Sequence, residues 1–464
     1  MSTRTPFGWA TTGARVLVGT LVSAGFVVAV VSAISVPWPT IAREPAAVEV
    51  SPTATDSILA CTGDLLAIGR DLADANRVTA AAGQQVAVAT AGGIDAVRDT
   101  LEGPAEGSGP AVVSAPAVDG VAPDLAAAGS ASVDSDDLSG LAASACRPAL
   151  MESWLVGGSG STGAADLVLL SNPGEVAATV ELTVYGADGA ATPAGSGLVL
   201  PAGTQRAIPL AGLVLGEESP VVRVTSTGAP VQASLQASIT RTLEPGGVDQ
   251  VGAIAAATAE AVIPAVPVGG GDGEDAATVV RILAPDTATE ARVTVVADGD
   301  DAPAADPQTV PLTAGVPTEV ELRGLAAGRY TVTVEADVPV LAAVWQTTGF
   351  GEGSDFGWFT AAPAYTGPSL LATPPGGQPT LTVVNPQAEP VAVRVQPSAG
   401  GDAVELQLAP GQTLSTALAA GTGYVLDSGG AEVHAAVTVA SPAGIAGFAV
   451  WASDAAAPAI AVYP

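Results

Sequence analysis

A chain of 464 residues is too long for one ordinary domain and, at roughly 100–200 residues each, holds about three or four. Its 15 positive residues are all arginine and stand against 46 acidic ones, a formal net charge of −31, which is the wrong sign for holding phosphate backbones and excludes nucleic acid as a partner. Aromatics make up 4% of the chain, which favours small β-rich modules over an aromatic-lined catalytic cavity. The scattered carboxylates read as a means of keeping an alanine-rich surface soluble by mutual repulsion, in preference to specific cation binding.

Residues 1–15 carry Arg4 and Arg15 and no acid, and Val16 to Val36 then runs uncharged as VLVGTLVSAGFVVAVVSAISV. At about 1.5 Å per residue this segment spans a hydrocarbon core of about 30 Å. The preceding arginines place residues 1–15 in the cytoplasm and everything after Pro37 outside, with Trp38 at the outer interface. The expectation is a single-pass signal anchor over 16–36; the alternative is secretion after cleavage near Val31-Ser32-Ala33. Residues 37–56, with Pro37, Pro39, Pro45 and Pro52, read as an extended stalk.

Residues 57–148 read as a small mixed α/β module, with a helix over Ile58–Asn76 and a strand over Gln84–Thr90. Cys61 and Cys146 bound it and are the only cysteines. On the oxidising side of a membrane, an even count without CxxC spacing predicts a disulfide.

After Trp154 the pattern turns to short valine-rich runs of period two, punctuated by Pro-Gly, Asp-Gly and Gly-Gly, as in a β-sandwich. Three copies are visible, opening with ADLVLLSNPG, ATVVRILAPD and PTLTVVNPQ, each with a proline turn after the first run (Asn172-Pro173, Ala284-Pro285, Asn385-Pro386). The predicted fold is therefore mainly β. One transmembrane helix and the disulfide-closed module precede three tandem immunoglobulin-like β-sandwiches at 149–262, 263–362 and 363–464. Trp345 and Trp451 sit near the ends of copies two and three and read as matching core tryptophans.

The Cys-bounded N-terminal segment, Trp154 with the glycine loop leading to LVLLSNPG, and EPGGVDQV (Glu244 to Val251) before VIPAVPV (Val262 to Val268) resemble the membrane-anchored proteins of domain-of-unknown-function family 5719 of high-GC Gram-positive bacteria. The resemblance implies an extracytoplasmic location and modular β architecture. It implies no activity, and no functional residue is carried over from it.

Chemistry-bearing groups are scarce: one histidine and no lysine. His434, in AEVHAAVTV, reads as a strand-face or half-buried residue rather than a general base. Asp427-Ser428-Gly429-Gly430 reads as a hairpin turn. GGSGSTG (Gly157 to Gly163) has neither the lysine nor the helix of a phosphate cradle and reads as a flexible loop. Asp298, Asp300 and Asp301, and Asp272, Glu274 and Asp275, read as acidic turns lacking the ligand order of a calcium loop. Trp154, Tyr330 and Trp358 are the candidate ligand-face aromatics.

No catalytic residue, metal site or cofactor is expected. The reading is a non-catalytic, membrane-anchored envelope protein serving as scaffold or docking surface for an envelope protein. One alternative is a module binding cell-wall polysaccharide or assisting a glycosyltransferase, and another is a hydrolase using two carboxylates.

Overall fold

The computed structural model describes residues 7–35, 48–50, 55–71, 73–74, 77–91, 93–269, 277–453 and 460–462. Arg4, Trp38, the stalk prolines and the acidic run at Asp272, Glu274 and Asp275 lie outside these. The chain divides into two units. One contains the helix Phe7–Ser35 and a short antiparallel ladder between Val48–Val50 and Ile460–Val462. Within the helix, Gly13–Ser32 has a mean hydropathy of 2.1 and none of it is buried. The helix is long and apolar enough to cross a membrane.

The other unit, Thr53–Ala457, is built of antiparallel strands. The helix expected over Ile58–Asn76 is replaced by the strands Ser57–Ala60 and Leu65–Ile68. Two features make this segment strands. Gly63 (φ 98°) and Gly69 (φ 84°) take left-handed backbone, which interrupts a right-handed helix. Adjacent Leu65 and Leu66 also bury themselves in opposite directions. Leu65 packs with Leu138 and Val248, and Leu66 with Leu167 and Leu169, as successive side chains of a strand do. The strand expected at 84–90 is present as Gln85–Thr90, in a sheet with Leu125–Ser135 and Leu138–Ala145. Among the described residues the first module is thus all β. Cys61 and Cys146 form the predicted disulfide, 85 residues apart, worth about 4–5 kcal/mol through the entropy of the unfolded loop.

Beyond it, one strand plan occurs three times, each time as two sheets closed on one apolar core, a sandwich. In the first set the strands are Glu152–Val156, Leu167–Asn172, Ala178–Gly186, a fourth split into Gly189–Ala191 and Leu198–Leu200, Thr204–Pro209, Val221–Thr227, Gln232–Arg241 and Glu244–Gly252. One sheet has the order first-sixth-third-fourth and the other fifth-second-seventh-eighth. The set that starts at Ser369–Ala372 and ends at Gly444–Ala449 repeats both orders. In the middle set the sixth and seventh strands are one 20-residue strand, Gly328–Thr347. Its first half pairs with Thr289–Ala297 and its second with Thr278–Leu283, so it passes from one sheet to the other. The strand Thr258–Val268 straddles residues 262 and 263, and its ladder to Gly328–Thr347 places it with the middle set.

Alternation drives these ladders: Ala178–Gly186, Thr289–Ala297 and Val391–Pro397 each bury alternate residues. The Asn-Pro turns are built alike. Asn172 donates from Nδ2 to the Val176 and Leu200 carbonyls (2.8 and 3.1 Å) and accepts the Gly174 amide (3.1 Å). Asn385 does the same with Glu389, Ala409 and the Gln387 amide (2.8, 3.0 and 3.0 Å). Trp345 and Trp451, in contrast, are not equivalent. Trp345 lies on the seventh strand of its set, while Trp451 follows the eighth strand of the last.

Four edge strands converge: Leu138–Ala145 of the first module, and the eighth strands Glu244–Gly252, Phe356–Thr360 and Gly444–Ala449. An edge leaves outward N–H groups without ladder partners. Here the buried carboxylate of Asp355 takes one from each neighbour: Val248 on Oδ1 (3.2 Å), and Leu141 (3.3 Å) and Ile445 (3.0 Å) on Oδ2. A glycine precedes each donor, with positive φ: Gly140, Gly247 and Gly444. A Cβ would come within 2.5 Å of the carboxylate at Gly140 and 2.7 Å at Gly247, and at Gly444 would overlap it.

Gly444→Ala is therefore expected to cost about 2–4 kcal/mol, from steric overlap and backbone strain together, measurable by equilibrium denaturation. Burial pushes the Asp355 carboxyl up to about 7, against the opposing pull of the amides. Between an ordinary value of about 4 and 7 the folded state keeps a proton that the unfolded chain releases. This group's contribution to stability is thus complete below about pH 4 and declines as pH rises to 7. Asp355→Asn, which cannot ionise, should flatten that part of the stability profile in thermal melts from pH 4 to 8, leaving the same-signed shares of Asp166, held up near 7 by burial, and of Asp249, which burial also raises.

Candidate functional site

The glycine loop Gly157–Gly163 follows the first strand of the first sandwich, and it is pinned rather than flexible. The Ser159 amide donates to Asp166 Oδ2 at 2.6 Å and the Gly160 amide to the Glu217 carbonyl at 2.7 Å. Gly157 lies against the Trp358 ring, where a Cβ would come within 3.3 Å. The loop needs glycine for that approach, and it becomes one wall of a cavity of about 210 Å³ between the first and middle sandwiches.

Arg281 sits at the base, only 3% exposed. Its Nε and Nη2 donate to Glu319 Oε1 (3.0 and 2.9 Å), and Nη1 donates to the carbonyls of Gly158 (2.8 Å) and Pro220 (2.9 Å). Its guanidinium carbon stands 4.7 Å from the centre of the Trp358 ring, a stacked cation–π arrangement. These donors are committed to the protein, so Arg281 welds the two sandwiches and has little left to offer an anion.

Asp166 faces the same cavity, its second oxygen accepting the Ser238 amide at 2.7 Å. Burial pushes its carboxyl up to about 7, while its two amide donors and Arg281 pull it down. A half-buried Trp345 also lines it, 6.2 Å from Phe356 and 6.4 Å from Phe350 between ring centres. Glu218 and Glu319 complete the lining. Aromatic faces beside carboxylate acceptors suit a neutral, hydroxyl-bearing ring better than an anion.

The three aromatics singled out from the sequence do not share a face. Trp154 is buried in the first sandwich, tilted on Tyr185 at 5.4 Å, with Nε1 donating to Glu152 at 3.1 Å. Tyr330 is buried in the middle sandwich, its hydroxyl donating to the Ala326 carbonyl at 2.9 Å. Trp358 alone reaches the cavity, where it meets Trp345. His434 is buried, with Nδ1 2.8 Å from the Ala362 carbonyl, and burial lowers its pKa. Asp427-Ser428-Gly429-Gly430 is a turn closed by the Gly429 amide on Asp427. Among the described residues, no three His, Cys, Asp or Glu side chains are placed to hold a metal ion. The buried acids are Asp166, Asp355 and Asp249, whose Oδ2 accepts the Trp358 amide at 2.7 Å, and none of them belongs to a sequence motif. Their one signal was a charge within or beside an otherwise apolar strand.

The family of unknown function DUF5719 matches residues 102–420. The chain belongs to that family. No curated protein matches the chain. Among solved structures, the crystal structure of chicken CNTN1 FN1-FN3 domains is similar at 12% identity, over 64% of this chain and 98% of that one, with a TM-score of 0.11. At that score the likeness carries no argument about the DUF5719 chain, whose architecture rests on its own strand ladders.

Arg281→Met should destabilise the protein by about 2–4 kcal/mol in equilibrium denaturation. That is less than for a fully buried ion pair, since Glu319 is 38% exposed. Arg281→Lys, which keeps the charge and loses the planar fork, should recover only part of it.

Proposed function

We propose that this chain is a non-catalytic scaffold of the cell envelope, tethered by its N-terminal helix, whose β unit offers a preformed docking surface to another envelope component. The observation that carries this reading is the convergence of four edge strands on Asp355. Sandwiches strung on linkers would move independently. Sandwiches sharing a buried polar centre hold their surfaces in a fixed relation, as a docking platform requires. Within this reading the three strand sets are immunoglobulin-like modules near the expected boundaries, and the apolar helix keeps the unit on the outer side of the membrane.

A second reading is favoured by one observation. The cavity walled by Trp345, Phe356 and Trp358, with Asp166, Glu218 and Glu319 around it, combines stacking surface with hydrogen-bond acceptors, as a site for a glycan residue does. In this version the partner is cell-wall polysaccharide.

Crosslinking of affinity-tagged full-length protein in native envelope, followed by pull-down, tests both. The scaffold reading expects a defined protein partner whose recovery is unchanged in Trp345→Ala. Recovery of glycan alone, reduced at least about tenfold in Trp345→Ala, would transfer the function to the cavity. Turnover of cell-wall oligosaccharide by the purified protein would overturn both.

A further inference from the structure

Two arginines are buried in the β unit, and they are treated differently. Arg281 has Glu319 as its counter-charge. Arg147, 9% exposed, has no carboxylate within ion-pair distance among the described residues. In a chain with 46 acidic residues against 15 basic ones, that is not for want of acids. A buried cation without a counter-ion is among the costlier arrangements a protein adopts.

Arg147 is also held in place. It follows Cys146 of the disulfide, and its backbone exchanges two 2.9 Å hydrogen bonds with Ala60, next to Cys61. Its Nη2 donates to the Ala449 carbonyl, and its guanidinium lies over the Trp451 ring, 4.3 Å from the centre. The side chain is therefore held in one pose, and its one hydrogen bond among the described residues leaves other guanidinium N–H groups over. Burial lowers its pKa to about 9, so it stays charged at neutral pH.

Around it lies a cavity of about 170 Å³ between the disulfide-bounded module and the last sandwich. Leu59, Leu371, Phe448 and Trp451 are among its walls, and among the described residues no acidic side chain is. We propose that this cavity is a binding site for a small organic oxyanion, a carboxylate or phosphate monoester on a compact apolar group. Arg147 supplies the charge and the donor fork, and Trp451 with the leucines covers the apolar part. The site shares no residue with the cavity between the first and middle sandwiches.

Titration of the full-length protein in detergent with phenyl phosphate and with benzoate, followed by calorimetry and by Trp fluorescence, tests this. Saturable binding is expected, weakened about thirtyfold or more in Arg147→Gln, partly restored in Arg147→Lys and unchanged in Trp345→Ala. A thermal melt of each variant distinguishes lost binding from lost folding; if Arg147→Gln does not fold, the comparison rests on Arg147→Lys and on Trp451→Leu, which should weaken both probes. No saturable binding by the wild type would overturn the proposal, as would equal binding by the folded Arg147 variants.

Discussion

The β unit depends on one carboxylate. Asp355 stands where four sheets present their outer edges, and its two oxygens accept amide hydrogens from three strands that belong to other modules. Unpaired edges invite a foreign strand, and burying one without partners leaves costly N–H groups. A single acid answers both problems, because its two oxygens together offer about four acceptor positions. The geometry is demanding: each neighbouring strand has to approach without a side chain at the residue preceding its donor, and each has glycine there.

The seams formed around this centre are where chemistry collects. In the cavity between the first and middle sandwiches, Arg281 is consumed by Glu319 and by two carbonyls, leaving aromatic faces and carboxylates toward the opening. In the cavity between the disulfide-bounded module and the last sandwich, Arg147 remains largely unspent against apolar walls. Two cavities of similar size thus have opposite electrostatic character, set by whether the buried arginine met an acid. Glutamines complete the seams. Gln236 exchanges hydrogen bonds with the Leu66 amide and carbonyl (2.8 and 2.7 Å), and Gln250 donates to the Gly63 carbonyl (2.8 Å). Their side-chain amides act there as extra lengths of strand edge.

What the sequence made legible was local. An uncharged run gave the helix, two cysteines gave the disulfide, and period-two alternation with Asn-Pro turns gave strands and their repetition. The misreadings share a cause. Ile58–Asn76 carries apolar residues at spacings compatible with a helix, and only Gly63 and Gly69, together with cores on both sides of Leu65 and Leu66, decide for strands. Asp166, Asp249 and Asp355 looked like solvated acids, because the amides that hold them in the interior are remote in sequence or supplied by backbone, which has no signature. The glycine loop at 157–163 looked mobile because nothing in its composition announces that Trp358, some two hundred positions later, will lie against it.

The same remoteness governs how such a chain reaches its folded form. Leu141 donates to an acid 214 residues away, Val248 to one 107 away, and Ile445 joins from 90 residues beyond it. In a chain that leaves the ribosome N-terminus first, the bonds from Leu141 and Val248 can close once residue 355 has been made, whereas the bond from Ile445 waits for the last sandwich. Until then one acceptor position of Asp355 and the edges that meet Gly444–Ala449 lie open to water. The earlier modules persist as a partly closed unit, and the eighth strand of the last set completes it.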